Sequence, residues 1–284
     1  SLSGGFDSRS VIACFYKNKI PCIAATYNDT HWNPILGNNS EAKIAEEITN
    51  HLNIKWQNYD YFTPKKKDVS LLLRIKHGSC NIGYDFMIPF LEDLRRQYGS
   101  KITFFTGDGG DKVFTNLIPP KKLNNVNDLI EYIIYREGGM FTLSEVSEIV
   151  KIHENEIIDE IKNVVSAYPE KNLSQKFVHF IFHEDALKCI FEVEDKNRFF
   201  FWSVTPFYSV PFFNYIMNCD DEIKSSRGLY PKFLMQLSQS LARINRSDSN
   251  SSIISNKYEL YDFVISLTYK YPLFKELLKK IFKT

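Results

Sequence analysis

Between residues 8 and 106 the chain alternates two periodicities, and that alternation limits the folds open to it. Val11, Ile12 and Phe15 recur at helical spacing, which predicts a helix over 8–19. Residues 21–27, PCIAATY, form a short apolar run that reads as a buried strand. Asn38 or Ser40 caps a second helix, with Glu41 three residues after Asn38 as in a capping box. Ala42, Ala45, Ile48 and Leu52 give that helix its apolar face. A second strand is expected over 54–60, a third helix from Pro89 through Leu94, and a third strand over 101–106. Strands alternating with helices are the signature of an α/β fold with a parallel sheet. Such sheets bind ligands at the carboxyl ends of their strands.

The texture changes after residue 118. Pro119 and Pro120 break the chain, and helices are expected over 126–136, 143–167, 174–192, 208–218, 229–244 and 259–282. The expected organisation is an α/β core over 1–118 and a helical extension over 119–284 that completes the site. The chain opens on Ser1 with residues that read as the end of a strand, so the first strand of the core is expected to be truncated.

Composition narrows the function classes. A net charge of +1 gives broad nucleic-acid binding no electrostatic support. The five cysteines are scattered with no Cys-x-x-Cys pair, which points to a reduced, cytoplasmic chain with neither a zinc site nor a disulfide framework. The six histidines show no metal spacing. No apolar run reaches the roughly 18 residues of a membrane span. The C-terminal YKYPLFKELLKKIFKT reads as a packed helix with a solvated lysine face, with a peripheral membrane helix as the alternative.

Two glycine-rich turns carry the chemistry. In the first, Gly4 and Gly5 allow close approach to the backbone, and the helix that begins near Asp7 points free N–H groups into that space. This makes a phosphate site, to which Ser3 and Ser8 add hydroxyl donors. The Asp7 carboxylate repels a phosphate unless both share a Mg²⁺. The second turn lies in FFTGDGGDKVF, residues 104–114. There Gly107, Gly109 and Gly110 expose backbone while Asp108 and Asp111 supply oxygens for a hard divalent cation, or for a cation plus a base. Parallel strands bring both turns to one sheet edge, so Asp7 and Asp111 are expected to clasp one Mg²⁺–pyrophosphate.

The first turn, Ser3-Gly4-Gly5-Phe6-Asp7-Ser8, matches the S-G-G-x-D-S loop of the N-type ATP pyrophosphatases, the PP-loop superfamily. The second, Thr106 through Phe114, resembles the [ST]-G-[ED]-G-x-D-E-x-F turn in the synthetase domain of the asparagine synthetase family. NSEAKIAEEI (39–48), DKNRFFFWSVTPFYSVPFF (195–213) and GLYPKFLMQ (228–236) extend the resemblance more loosely. The resemblance implies a Rossmann-like, adenine nucleotide alpha-hydrolase-like fold with ATP and Mg²⁺ as cofactors. It implies an AMP-forming carbon–nitrogen ligase that activates a carboxylate as its acyl-adenylate and passes it to ammonia or an amine. In that reading Ser3, Gly4, Gly5, Ser8 and Gly107 hold the pyrophosphate, and Asp7 and Asp111 bind Mg²⁺. Lys232 stabilises the developing charge, Asp108 steers or deprotonates the amine, and the backbone of Thr26 and Tyr27 reads adenine. Arg198 either contacts substrate or pairs with Glu194. The implied partners are a small-molecule or peptide carboxylate and a glutaminase domain or subunit, with no nucleic acid and no membrane. Lys112 and Tyr208-Ser209 depart from the family pattern. Rival readings are a tRNA-modifying or nucleotide-amidating PP-loop enzyme and a non-catalytic ATP-binding protein.

Overall fold

Helix α1 (Phe6–Lys17) begins directly after Gly5, with Asp7 in its first turn and Lys17 in its last, both signs matching the helix dipole. It belongs to a computed structural model that describes residues 1–28, 41–60, 65–77, 82–137, 141–224, 228–246 and 251–256, with 260, 263 and 267. The chain packs as two units. One comprises residues 1–116 and 186–261, the other 117–185 and 262–284. The segment 186–261 therefore belongs with the N-terminal residues and not with the helices that precede it.

In the first unit, β1 (Ala24–Asn28) is followed by α2 (Glu41–Leu52), which buries Ala42, Ala45, Ile48 and Leu52. β2 (Trp56–Asp60) then pairs in parallel with β1, Ala24 opposite Trp56. After α3 (Lys66–Lys76) comes α4 (Met87–Tyr98), which starts two residues ahead of Pro89. Proline is tolerated there because a first-turn N–H has no intrahelical acceptor. β3 (Thr103–Phe105) leads through the second glycine-rich turn into the short α5 (Gly110–Phe114). Ile88, Phe90, Leu91 and Leu94 of α4 pack with Leu72, Phe104, Phe200 and Phe201 as the core beneath. The cap expected at Asn38 or Ser40 lies outside the described residues.

The second unit holds α6 (Val126–Glu137), α7 (Leu143–Val150), α8 (Glu154–Ala167) and α9 (Leu173–Phe180). The spacing predicts one helix over 143–167. Two form because Lys151 turns left-handed at φ 58° and His153 is extended. The Lys176 ammonium donates to the Val165 and Tyr168 carbonyls at 2.6 and 2.7 Å, satisfying the end of α8. Tyr132 of α6 meets Phe177 of α9 edge-on at 4.9 Å.

A π-helical stretch, Ile181–Ile190, leads into α10 (Phe191–Arg198) and back to the first unit. β4 (Trp202–Val204) pairs in parallel with β3, Thr103 opposite Trp202. Then come α11 (Val210–Met217), α12 (Leu229–Leu237) and α13 (Gln239–Arg243). The single helix expected over 229–244 divides at Ser238, whose extended backbone and hydroxyl cap α13 through the Leu241 N–H. The helix expected over 259–282 lies outside the described residues apart from 260, 263 and 267.

The described strands form two parallel pairs, β1–β2 and β3–β4. Ser1 and Leu2 run between them: the Leu2 N–H donates to the Ala25 carbonyl at 2.9 Å, and the Ser1 nitrogen donates to the Phe105 carbonyl. The first glycine-rich turn thus leaves the position between β1 and β3.

Candidate functional site

The two turns touch. A Cβ on Gly107 would stand 2.3 Å from the Ser8 nitrogen, and one on Gly110 would stand 2.4 Å from Asp7 Oδ1. No side chain fits in either place, so glycine is required by close approach of backbone to backbone and of backbone to carboxylate. Gly109 is left-handed, at φ 87°, and lies against the Tyr208 ring. In the first turn the Ser3 N–H donates to the Ser8 hydroxyl at 2.9 Å, the two hydroxyls meet at 3.0 Å, and the Gly5 N–H donates to the Ser3 hydroxyl at 3.2 Å. These bonds brace the turn internally at the N-terminus of α1.

Asp7 sits at the junction of the two turns. Burial, then the neighbouring Asp111 carboxylate, pushes it up to about 7. The Tyr230 hydroxyl donates to its Oδ1 and opposes that rise, as does the Arg246 charge. Tyr230 is itself clamped, its ring stacked on Phe114 at 4.3 Å and 10°. Asp111 is exposed. Asp108 is pushed up to about 6, by burial first and then by Glu194. Thr106 donates to Glu194 Oε1, while Glu194 Oε2 is buried with no hydrogen-bond partner among the described residues.

Of the residues expected at the site, Ser3, Gly4, Gly5, Asp7, Ser8, Gly107, Asp108 and Asp111 all lie on the two turns in contact. Thr26 does not present a free hydroxyl: it donates to the Leu2 carbonyl at 2.8 Å and accepts from the Trp56 indole at 2.8 Å, bracing the turn from behind. Tyr27 stacks on Phe86 at 4.8 Å. Lys232 is exposed on α12, two residues from Tyr230, and a two-residue step on a helix reverses the face. Tyr230, and not Lys232, is the α12 side chain that reaches Asp7. Arg198 donates from Nε to the Ser203 carbonyl at 3.0 Å and from Nη1 to Asp195 at 3.3 Å, so its ion pair is with Asp195 and not Glu194.

Sequence reasoning missed Tyr230, Glu194 and Arg9 as parts of this site. The fully buried Arg9 guanidinium donates to the Gly4 carbonyl at 3.0 Å, to Leu241 at 3.1 Å, to Asn245 at 2.9 Å and to Ile244. It ties the first turn to the chain beyond α13. The only local signal was a charged residue on the buried stripe of α1, beside Ser8 and Ile12.

Among the described residues no group of three or more His, Cys, Asp or Glu side chains is placed to hold a metal ion. Asp7 and Asp111 form a pair only. That pair fits Mg²⁺, which is commonly held by one or two carboxylates together with waters and phosphate oxygens. No helix among the described residues is long and apolar enough to cross a membrane.

The family model for Nrap protein domain 6 matches residues 23–167, half of the chain. The chain belongs to that family. The Nrap match includes the second turn, while Ser3–Ser8 and everything after residue 167 lie outside it. Comparison with curated proteins gives no match.

The Nrap match overturns the resemblance to asparagine synthetase and the PP-loop enzymes. With it go the AMP-forming ligase activity, the rival PP-loop and ATP-binding readings, the carboxylate substrate, the glutaminase partner and the exclusion of nucleic acid. The physical reason is that a glycine turn at a helix N-terminus serves phosphate in many folds and names no reaction.

Proposed function

We propose that this Nrap-family chain is an RNA-associated, non-enzymatic module that works in the nucleolus, and that its paired turns seat one phosphate of the RNA through a shared Mg²⁺. The family designation, nucleolar RNA-associated protein, supports the partner and the location. The observation that carries the site is the contact of Gly107 and Gly110 with Ser8 and Asp7, which sets two carboxylates beside the open end of α1. In this reading Asp7 and Asp111 hold Mg²⁺, and the cation offsets the charge of the phosphate. Ser3, Gly4, Gly5 and Ser8 shape the seat, and Arg246 adds positive charge next to Asp7. ATP offers the same phosphate chemistry and is therefore the competitor in the test. We also read the two strand pairs and Ser1–Leu2 as one parallel sheet of the α/β class, with the seat at its carboxyl edge.

The test is equilibrium binding of a labelled single-stranded RNA with and without Mg²⁺, with ATP as competitor. Mg²⁺-dependent binding weakened at least about tenfold by Asp111→Asn supports the seat. RNA binding indifferent to both Mg²⁺ and that substitution rejects the seat and keeps the RNA association. Displacement by equimolar ATP assigns the phosphate to a nucleotide instead, and no RNA binding at all rejects the reading.

A further inference from the structure

In the second unit, a set of polar side chains forms one continuous network where α8 gives way to α9. The Tyr168 ring, just past α8, stacks on the His179 ring of α9 at 3.8 Å and 6°. The Tyr168 hydroxyl donates to Glu184 Oε1 at 3.3 Å, and the same oxygen lies 2.9 Å from His183 Nδ1. His179 Nδ1 lies 2.9 Å from Glu170 Oε1. An ionised carboxylate only accepts hydrogen bonds, so each Nδ1 carries the proton. In a neutral ring the lone pair is then at Nε2, a nitrogen that Zn²⁺ and similar ions take. The two rings lie 5.8 Å apart, edge to face at 76°. With bonds of about 2.0–2.1 Å to each nitrogen, one Zn²⁺ can reach both. The side chains of His179 and His183 are 31% and 50% exposed, which gives an ion and its waters access.

We propose that His179 and His183 bind one divalent transition-metal ion of the Zn²⁺ type through their Nε2 atoms, with Glu170 and Glu184 orienting the two ligands. The four-residue spacing brings the rings together but is no metal motif by itself. What makes ligands of them is a separate glutamate at the other nitrogen of each ring. That arrangement fixes the tautomer and orientation of a metal-binding histidine and raises its basicity. Tyr168 adds a second restraint, since it presses on one ring and holds the carboxylate that serves the other. The Glu170 Oε2 atom is buried with no hydrogen-bond partner among the described residues. Its charge is therefore incompletely compensated, and a cation on His179 Nε2 supplies positive charge through the same ring. His183 sits on the π-helical stretch Ile181–Ile190, a geometry that recurs at functional sites. Two protein nitrogens leave the remaining positions of the ion to water, unlike the closed four-ligand structural sites.

The test is a Zn²⁺ titration of the 284-residue chain, read by NMR at the imidazole nitrogens, with Mg²⁺ as the control ion. Zn²⁺ is expected to shift the Nε2 signals of His179 and His183 together, with one midpoint, and Mg²⁺ to shift neither. Glu170→Gln keeps both ligands and is expected to weaken Zn²⁺ binding about 10- to 100-fold. His183→Gln removes one of the two nitrogens and is expected to weaken binding at His179 by at least as much. Zn²⁺ that leaves both Nε2 signals unmoved in the parent chain overturns the proposal, and this arm needs no variant. A His179 response unchanged in His183→Gln also overturns it, because the rings then share no ion. An affinity unchanged in Glu170→Gln overturns the orienting role and leaves the glutamates as plain ion-pair partners. All these residues belong to the second unit and the readout needs no RNA, so this inference and the phosphate seat fail separately.

Discussion

Gly110 lies so close to Asp7 that a Cβ there would stand 2.4 Å from the carboxylate oxygen, while a Cβ on Gly107 would stand 2.3 Å from the Ser8 nitrogen. The two positions differ in what must yield. At Gly107 the obstacle is the backbone of α1, which cannot rotate away. At Gly110 it is a side chain, though a short one already held by Tyr230. Gly107→Ala is expected to cost about 2–4 kcal/mol and Gly110→Ala about 1–2 kcal/mol, measured by urea unfolding. Equal small losses would mean that the turns stand apart in solution.

Tyr230→Phe and Lys232→Ala separate the two readings of α12. Removing the Tyr230 hydroxyl leaves the Asp7 carboxylate without its donor, an expected loss of about 1–2 kcal/mol. Lys232→Ala is expected to change stability by less than about 0.5 kcal/mol, as for exposed side chains in general. Thermal melts of both variants decide this, and a larger loss for Lys232→Ala would place that lysine at the site after all.

Stability should depend on pH through the buried carboxylates. Asp7 is raised to about 7 and Asp108 to about 6, both by burial first. In the unfolded chain a carboxyl titrates near about 4. Between about pH 4 and about pH 7 these two carboxyls hold protons in the folded chain that they have released in the unfolded one, so their contribution to stability falls as pH rises through that window, while the buried Ser1 amino group, lowered to about 5, contributes in the opposite sense from about pH 5 to about pH 8. Asp7→Asn is expected to remove most of the slope and to exceed the parent's stability at about pH 8 by ~1–2 kcal/mol. Urea titrations across this range check it, and an unchanged slope in Asp7→Asn would show that Asp7 is ionised throughout.

Arg9 joins four backbone carbonyls that no other side chain is shown to serve. Arg9→Met removes the guanidinium from over Phe6 and takes the side-chain donor from all four carbonyls, of which Leu241 keeps the Ile244 N–H. The expected loss is about 3–5 kcal/mol, with Mg²⁺-dependent RNA binding weakened in the fraction still folded. Circular dichroism melts and the binding titration report the two effects separately.

Much of the local structure was legible in the sequence. Helical spacing located α1, α2, α4, α6 and α11 to within a few residues, because each buries one face against its neighbours. The breaks at Lys151 and Ser238 were not legible. Periodicity runs straight across both, and the interruption is set by a left-handed residue in one case and a side-chain cap in the other. The functional inference failed at a different level. Six residues of turn chemistry name no reaction, whereas the Nrap match draws on the pattern of residues 23–167.

By itself, the sequence determined that one glycine-rich turn would open a helix and another would follow a strand, and that Asp7, Asp108 and Asp111 would ride on them. These are properties of neighbours in the chain, written in glycine, in short carboxylates and in the switch from strand to helix. The tertiary structure alone decided what surrounds those carboxylates. Tyr230 comes to Asp7 from 223 residues away. The Thr106 hydroxyl meets Glu194 from 88 residues away. Arg9 reaches carbonyls 232 to 236 residues distant. Burial and long-range partners set the charge state of a carboxylate, and neither has a local signature, so the turns could be read from the chain while the chemistry available to them could not.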